Sequence, residues 1–151
     1  MNGVAERIQK LRETSGETEN EVAEAVGLSI GEYGDLEGYD DEIIDAVSFG
    51  AASKVAGHFG QSLFQLLAPE AEASPEGYLG PEALANLVKG KIAEEGLSLE
   101  EAETKTGWYL EGFLANPGSY LAEQPIMFLI DLSGFLGIDW LSTMPRGRGS
   151  S

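Results

Sequence analysis

A pattern of helix starts and stops recurs once along the chain and constrains its fold more than any other feature. Thr18-Glu19-Asn20-Glu21 is a capping box, in which the threonine hydroxyl and Glu21 each satisfy a free backbone N–H at a helix start. The landmarks Gly16, Thr18, Glu21 and Gly27 are matched eighty positions later by Gly96, Ser98, Glu101 and Gly107. Later landmarks match at a spacing of 77, Gly60 with Gly137 and Leu63 with Trp140. We therefore predict an all-α protein made of two tandem five-helix units.

Within the first unit, the helix signals predict a helix-turn-helix. Apolar residues at Val4 and Ile8 begin a helical stripe, and Thr18 then opens a second helix. Another capping box begins at Ser29, directly beyond the permissive turn at Gly27. Two capped helices joined by a glycine-containing turn are typical of the helix-turn-helix motif.

The remaining helices of the first unit follow an acidic connector. One helix is predicted from about Glu42 or Ser48 to Phe59, and Ser62 is predicted to cap a short last helix. In the second unit, Pro125 is compatible with the fourth helix if it lies at the first position of that helix. An insertion of three residues between helices three and four of the first unit explains the change of spacing from 80 to 77.

A segment rich in proline and glycine, with little apolar periodicity, separates the two units. Residues 69–81 are therefore predicted to be a linker. The first unit spans residues 1–68, and the second and more divergent unit spans residues 82–145. Residues 146–151 are predicted to form a disordered tail.

The residue inventory excludes several kinds of site. The chain has no cysteine and one histidine, so thiolate sites, histidine metal clusters and catalytic triads cannot be assembled. Asp40-Asp41-Glu42 lacks the ligand spacing of a calcium loop, and helix capping by Asp40 or Asp41 is the favoured interpretation. His58 is predicted to act as a cation at a helix end. We expect no catalytic residue, no metal, no cofactor and no enzymatic activity.

The hydropathy pattern predicts a cytoplasmic protein with no membrane partner. The N-terminal residues lack the apolar run of a secretory signal. The most apolar stretch, Ile126 to Leu136, has eleven residues and contains Asp131. Because a membrane-spanning helix needs about twenty apolar residues, this stretch is predicted to be a core helix.

Two side-chain patterns also predict packing. The aromatic residues of the second unit are predicted to be mostly buried; they are Trp108, Tyr109, Phe113, Phe128, Phe135 and Trp140. Small residues at helical spacing form a strip on the fourth helix of the first unit; they are Ala46, Gly50, Ser53 and Gly57. The strip either packs within its own unit or contacts the other unit or another chain.

Several stretches of the first unit combine into a family pattern. They are residues 6–12, 18–27 and 29–37, followed by a helix rich in small residues, then Gly60-Gln61-Ser62-Leu63 and Leu66-Leu67. On these stretches, residues 4–67 resemble the Cro and phage-repressor type of helix-turn-helix, called XRE. Residues 84–144 resemble it less closely.

The resemblance implies a DNA-reading surface at defined positions. In this family the third helix enters the major groove, and its first residues touch base edges. The positions that would contact DNA here are Ser29, Ile30, Gly31, Glu32 and Tyr33. The phosphate-facing position is Glu19, where the family usually has Gln.

The charge on this surface has the wrong sign for DNA. The formal net charge of the chain is −17. Between Glu13 and Ser53 there are twelve acidic residues and no Lys or Arg, and Lys105 is the one cation near the corresponding surface of the second unit. Carboxylates repel phosphates, and the counterion release that supplies most non-specific DNA affinity requires cations. We therefore expect no DNA binding in the usual manner of the family.

Two functions remain open on the sequence. The first is a regulatory module that binds a basic protein, such as a toxin, a nuclease or another DNA-binding protein. Its predicted partner-binding residues are Glu19, Glu32, Asp35, Glu37, Asp40, Asp41 and Glu42. The second is a sequence-specific transcriptional regulator that uses its two units as a pseudo-dimer. Solubility alone is a further explanation of the charge, and the oligomeric state is left open between monomer and homodimer.

Overall fold

The structure of the chain is a computed structural model that describes residues 3–69 and 78–145. Every regular element within these residues is a helix, so the all-α prediction is confirmed. The described part contains no strand, only one isolated β-bridge. Most of the predicted linker, residues 70–77, and the predicted tail, residues 146–151, lie outside the described residues.

The described chain consists of two parts that share one hydrophobic core. The helices of the first part are α1 (Val4–Ser15), α2 (Glu19–Val26), α3 (Ile30–Gly38), α4 (Glu42–Asp45), α5 (Phe49–His58) and α6 (Leu63–Leu67). Those of the second part are α7 (Pro81–Glu94), α8 (Leu99–Thr106), α9 (Glu111–Ala115), α10 (Pro117–Ala122), α11 (Ile126–Leu136) and a 3-10 helix (Trp140–Thr143). Each part therefore holds six helical elements rather than the predicted five, because α4 and α10 are additional short helices.

The region predicted as one helix is divided in two. The sequence indicated two alternative helix starts, Glu42 and Ser48, and a helix begins at each: α4 begins at Glu42, and Ser48 is the N-cap of α5. The Ser48 hydroxyl accepts a hydrogen bond from the Ala51 N–H at 3.1 Å. Pro125 is the N-cap of α11 in an extended conformation, one residue before the first helical position.

Local hydrogen bonding sets the bounds of α2 and α8. Both helices begin with a capping box, Thr18 with Glu21 and Ser98 with Glu101. Both end at a glycine in the left-handed conformation, where a side chain would be strained, with φ of 77° at Gly27 and 79° at Gly107.

An aromatic cluster fills the core of the second part. The Phe128 ring packs edge-on against Trp108 at 5.3 Å and against Phe113 at 5.2 Å, and Tyr120 lies 5.8 Å away. Phe113 and Phe128 are buried as predicted, whereas Trp108, Phe135 and Trp140 are partly buried. The prediction for Tyr109 is wrong, because its side chain is 80% exposed.

The two parts pack against each other through reciprocal helix pairs. The short helix α4 packs against α11, and α5 packs against α10. Between these pairs, Ser48 and Pro125 form the antiparallel β-bridge, and the Phe49 N–H donates to the Gln124 carbonyl at 2.6 Å. A Cβ at Gly50 would lie 3.0 Å from the Ala122 carbonyl oxygen, which is tighter than ordinary contact. Gly50 of the small-residue strip therefore contacts the other part of the chain.

The capping boxes predict matched losses of stability. Thr18→Ala removes the acceptor of the Glu21 N–H, and Ser98→Ala removes that of the Glu101 N–H. Each substitution is expected to lower the free energy of unfolding by about 1 kcal/mol, measured by urea unfolding followed by far-UV circular dichroism. Thr14→Ala, at an exposed position within α1, is the control. Cap variants that are no less stable than this control would contradict the assignment.

Candidate functional site

The start of α3 carries the residues that the family resemblance places against DNA. The Ser29 hydroxyl accepts from the Glu32 N–H at 3.0 Å, and the Glu32 carboxylate accepts from the Ser29 N–H at 2.9 Å. The hydrogen bond from the Ser29 backbone, followed by that with its side chain, lowers the pKa of Glu32. Glu32 therefore closes the helix start, although it remains exposed.

The exposed side of α3 is narrower than the sequence predicted. Ser29 and Gly31 are exposed, and Ile30 is 54% exposed. Tyr33 is fully buried, so the prediction that its side chain faces outward is wrong. It lies one turn before Leu36, which is also buried, on the side of α3 that faces the core. Burial, and then the neighbouring Glu37 carboxylate, raises the pKa of the Tyr33 hydroxyl.

A bidentate ion pair joins α1 to the end of α3. Arg12 Nε lies 2.6 Å from one oxygen of Glu37, and its Nη2 lies 3.1 Å from the other. The side chains are 16% and 6% exposed, respectively. Arg12 also donates to the Glu17 carbonyl at 3.1 Å. Glu37 is thus a buried structural partner, and the half-buried Glu19 lies close enough to raise the pKa of Arg12 further, after the hydrogen bond with Glu37.

Asp40 caps a helix that is distant in sequence. Its carboxylate accepts from the Gly3 N–H at 3.1 Å and from the Ala5 N–H at 3.0 Å, at the start of α1. These bonds, that from Ala5 first, lower the pKa of Asp40. The prediction that Asp40 or Asp41 caps a helix is met by Asp40, but the helix is α1 rather than the one that follows.

Of the six acidic side chains from Asp35 to Asp45, two (Glu37 and Asp40) have the partners described above. The other four have no ion pair within the described residues, and we call them the acidic cluster. They are Asp35, Asp41, Glu42 and Asp45. Burial, and then the charges of Asp35, Asp41 and Asp45, raise the pKa of Glu42. The other three carboxylates of the cluster therefore lie close enough to Glu42 to act on its charge. Asp45 was not among the predicted partner residues. Its position one helical turn after Asp41 and Glu42 would have indicated that it lies beside them.

A large aromatic side chain stands beside the acidic cluster. Tyr39 is 62% exposed, and it follows α3 directly. Its N–H donates to the Asp35 carbonyl at 2.9 Å, and its own carbonyl accepts from the Glu42 N–H at 3.3 Å. The Tyr39 backbone is thereby held between two members of the cluster. Exposed tyrosines are frequent anchors in protein interfaces, and sequence reasoning did not single this one out.

The lone histidine lies in the last turn of α5, as predicted, and it has a second contact. His58 Nε2 lies 2.9 Å from both carboxylate oxygens of Glu17. The hydrogen bond with His58, followed by that with Ser15, lowers the pKa of Glu17. His58 therefore links α5 to the turn before α2.

The surface of the second part has a different character. Tyr109 protrudes from the turn between α8 and α9, beside a groove lined by Glu100, Glu103 and Trp108. The Glu103 carboxylate accepts from the Leu110 N–H at 2.8 Å, which holds the turn. The most exposed large side chain of this surface is therefore aromatic, whereas the acidic cluster consists of carboxylates.

No family model, curated protein or solved structure matches this chain. Among residues 3–69 and 78–145, no group of three or more His, Cys, Asp or Glu side chains is arranged to hold a metal ion. None of the helices in these ranges is both long and apolar enough to cross a membrane.

The Arg12–Glu37 pair predicts a large and pH-dependent effect. Arg12→Met leaves the Glu37 carboxylate, which is 6% exposed, without its charged partner, and the free energy of unfolding is expected to fall by about 1–3 kcal/mol at neutral pH. Burial tends to raise the pKa of Glu37, but the hydrogen bond from Arg12 lowers it below its ordinary value on balance. The pair therefore stabilises the fold above the unfolded-state pKa, and this stability is lost as pH falls through the folded-state pKa.

Urea unfolding at neutral pH and at about pH 3 measures this effect, and the penalty is expected to shrink in acid. The matched double variant Arg12→Met/Glu37→Leu removes both charges and is expected to recover much of the loss. A single variant as stable as the parent at neutral pH would show that the pair does not hold α1 to α3.

Proposed function

We propose that the chain is a regulatory protein-interaction module that binds a basic protein through the acidic cluster and Tyr39. The observation that carries the proposal is a group of four carboxylates without ion pairs, together with an exposed tyrosine whose backbone is hydrogen-bonded to two members of the group. The proposed activity is binding alone, without catalysis or a cofactor, and the proposed location is the cytoplasm. A toxin, a nuclease or a DNA-binding protein would present the required basic surface.

The proposed scaffold is a pair of tandem helix-turn-helix units of the XRE type. The segment from α2 to α3 supports this, because two capped helices are joined through a left-handed glycine and the first residues of α3 are exposed. The segment from α8 to α9 has the same start and turn, but α9 has only five residues. The first unit therefore carries the proposed binding surface.

The distribution of cations supports a basic partner. The sequence from Glu13 to Ser53 contains no Lys or Arg, so α2, α3 and α4 carry no cation of their own. Of the nearby cations, Arg12 is paired with Glu37 and Lys10 with Glu6. The acidic cluster thus keeps an uncompensated negative potential, which attracts a basic surface and steers its approach.

We propose that Tyr39 fixes the position of the bound partner, which the carboxylates alone do not. Exposed ion pairs contribute at most about 1 kcal/mol each, so charge by itself attracts a partner without fixing its position. An aromatic face beside carboxylates suits an arginine or lysine side chain, which gains a cation–π contact together with an ion pair. We propose that Tyr39 anchors such a side chain while Asp35 and Asp41 pair with its neighbours.

The alternative function, sequence-specific DNA binding, has less support. Of the positions that the resemblance places against bases, Tyr33 is buried and Glu32 closes the start of α3. Ser29, Ile30 and Gly31 remain exposed, yet they carry no cation. We keep DNA binding as an outcome of the experiments below.

Charge reversal tests the proposed surface. Asp35→Lys/Asp41→Lys changes two exposed side chains for which no hydrogen bond or ion pair is present within the described residues. Binding of a fluorescein-labelled decapeptide of alternating Lys and Arg, followed by anisotropy, is expected to weaken about tenfold or more. Tyr39→Ala in the parent background is expected to weaken binding as well, through loss of the anchor.

The matched control is Glu82→Lys/Glu123→Lys, which makes the same change of net charge at exposed positions of the second part. An equal loss of affinity in this control would mean that the peptide responds only to overall charge, and the proposed surface would then be wrong. Saturable binding of a DNA duplex under the same conditions would favour the alternative.

A further inference from the structure

The β-bridge between Ser48 and Pro125 joins two residues that hold the same place in the predicted repeat. They are 77 positions apart, the spacing that also relates Gly60 to Gly137. Each is the N-cap of a helix, α5 for Ser48 and α11 for Pro125. Their backbone angles also agree, with φ −70° and ψ 157° at Ser48 and φ −71° and ψ 161° at Pro125.

The buried positions of the two parts follow the same spacings. The buried residues of α1 and α7 correspond at a spacing of 80, Val4, Ala5 and Ile8 with Leu84, Ala85 and Val88. Those of α5 and α11 correspond at a spacing of 77, Ala52, Val55 and Ala56 with Leu129, Leu132 and Ser133. The same side of each helix therefore faces the core in both parts.

The ends of α5 and α11 repeat the same hydrogen bonds. The Gln61 N–H donates to the Ala56 carbonyl at 2.9 Å, and Ile138 donates to Ser133 at 3.0 Å. The next helix is capped at Ser62 in the first part and at Asp139 in the second, again 77 positions apart. Correspondence at this level of detail indicates two copies of one unit.

The geometry of the bridge then gives the relation between the copies. Two residues paired across antiparallel strands are related by a local two-fold axis. When the paired residues are counterparts, that axis also relates the two units. We infer that the chain is a fused dimer, whose units are related by an approximate two-fold axis passing between Ser48 and Pro125. The reciprocal packing of α4 on α11 and of α5 on α10 follows, because α10 and α11 are the counterparts of α4 and α5.

The fused arrangement covers one face of each unit with the other. The face formed by α4 and α5, through which a single unit would pair with a second copy, is occupied within the same chain. The charge is not symmetric, because the counterparts of Asp41, Glu42 and Asp45 are Gly118, Ser119 and Ala122. Under the proposed function, on which this last consequence rests, each chain therefore offers one acidic cluster and binds one basic partner.

Disulfide trapping in the full chain tests the axis without reference to any partner. An ideal Cβ on Gly50 lies 3.6 Å from the Ala122 Cβ, within the separation of about 3.5–4.5 Å that disulfides span. The two-fold axis brings their counterparts, Met127 and Asp45, into the same relation. Because the chain has no cysteine, each pair can be tested alone. Gly50→Cys/Ala122→Cys and Asp45→Cys/Met127→Cys are both expected to lose their free thiols on mild oxidation, as intramolecular disulfides.

Gly57→Cys/Ala122→Cys is the control, because Gly57 lies about 10 Å further along α5, and its thiols are expected to persist. In the unaltered chain, a nuclear Overhauser effect is expected between the α protons of Ser48 and Pro125. This measurement tests the axis without a side chain at Gly50, where the contact with the other part is close. If Gly50→Cys/Ala122→Cys formed a disulfide and Asp45→Cys/Met127→Cys did not, the two parts would be in contact without being related by a two-fold axis. Absence of both disulfides, or of the Overhauser effect, would overturn the inference.

Discussion

The ion pair between Arg12 and Glu37 holds the end of α3 against α1, and the position of the acidic cluster depends on it. A carboxylate as buried as that of Glu37 is costly without a partner, so the pair couples the folding of the two helices. Asp40 adds a second connection, because it closes the start of α1 from beyond α3. Two of the predicted partner residues, Glu37 and Asp40, therefore have structural roles. Their contacts also fix the position of α4, which follows Asp40 in the chain.

The local features of the fold could be predicted from the sequence, because their causes lie within four residues of one another. The starts of α2, α3 and α8 are capping boxes, and the glycine turns follow from spacing alone. The contacts of Glu37 and Asp40 join positions 25 and 35 or more residues apart, so no local pattern announces them. The prediction that Tyr33 faces outward came from the family resemblance. In the structure Tyr33 faces the core, on the same side of α3 as the buried Leu36 one turn later.

The seven predicted partner residues thus separate by physical role. Glu32, Glu37 and Asp40 satisfy backbone or guanidinium groups. Glu19 lies close enough to raise the pKa of Arg12 further, after the hydrogen bond with Glu37. Asp35, Asp41 and Glu42 remain without ion pairs and are joined by Asp45. The structural acids account for part of the high negative charge, and the acidic cluster is the part that we propose binds a partner. With Tyr39 at its edge and no cation of its own, this surface is suited to a basic protein and poorly suited to a phosphate backbone.

A nitrogen-15 correlation spectrum of the full chain, titrated separately with the Lys-Arg decapeptide and with a DNA duplex, tests the central claim most directly. At about 50 mM salt, where phosphate contacts are strong, we expect the peptide to shift amides of residues 35–45 in a saturable manner and the duplex to shift none. Saturable duplex binding at the start of α3, or peptide shifts spread evenly over both parts of the chain, would contradict the account.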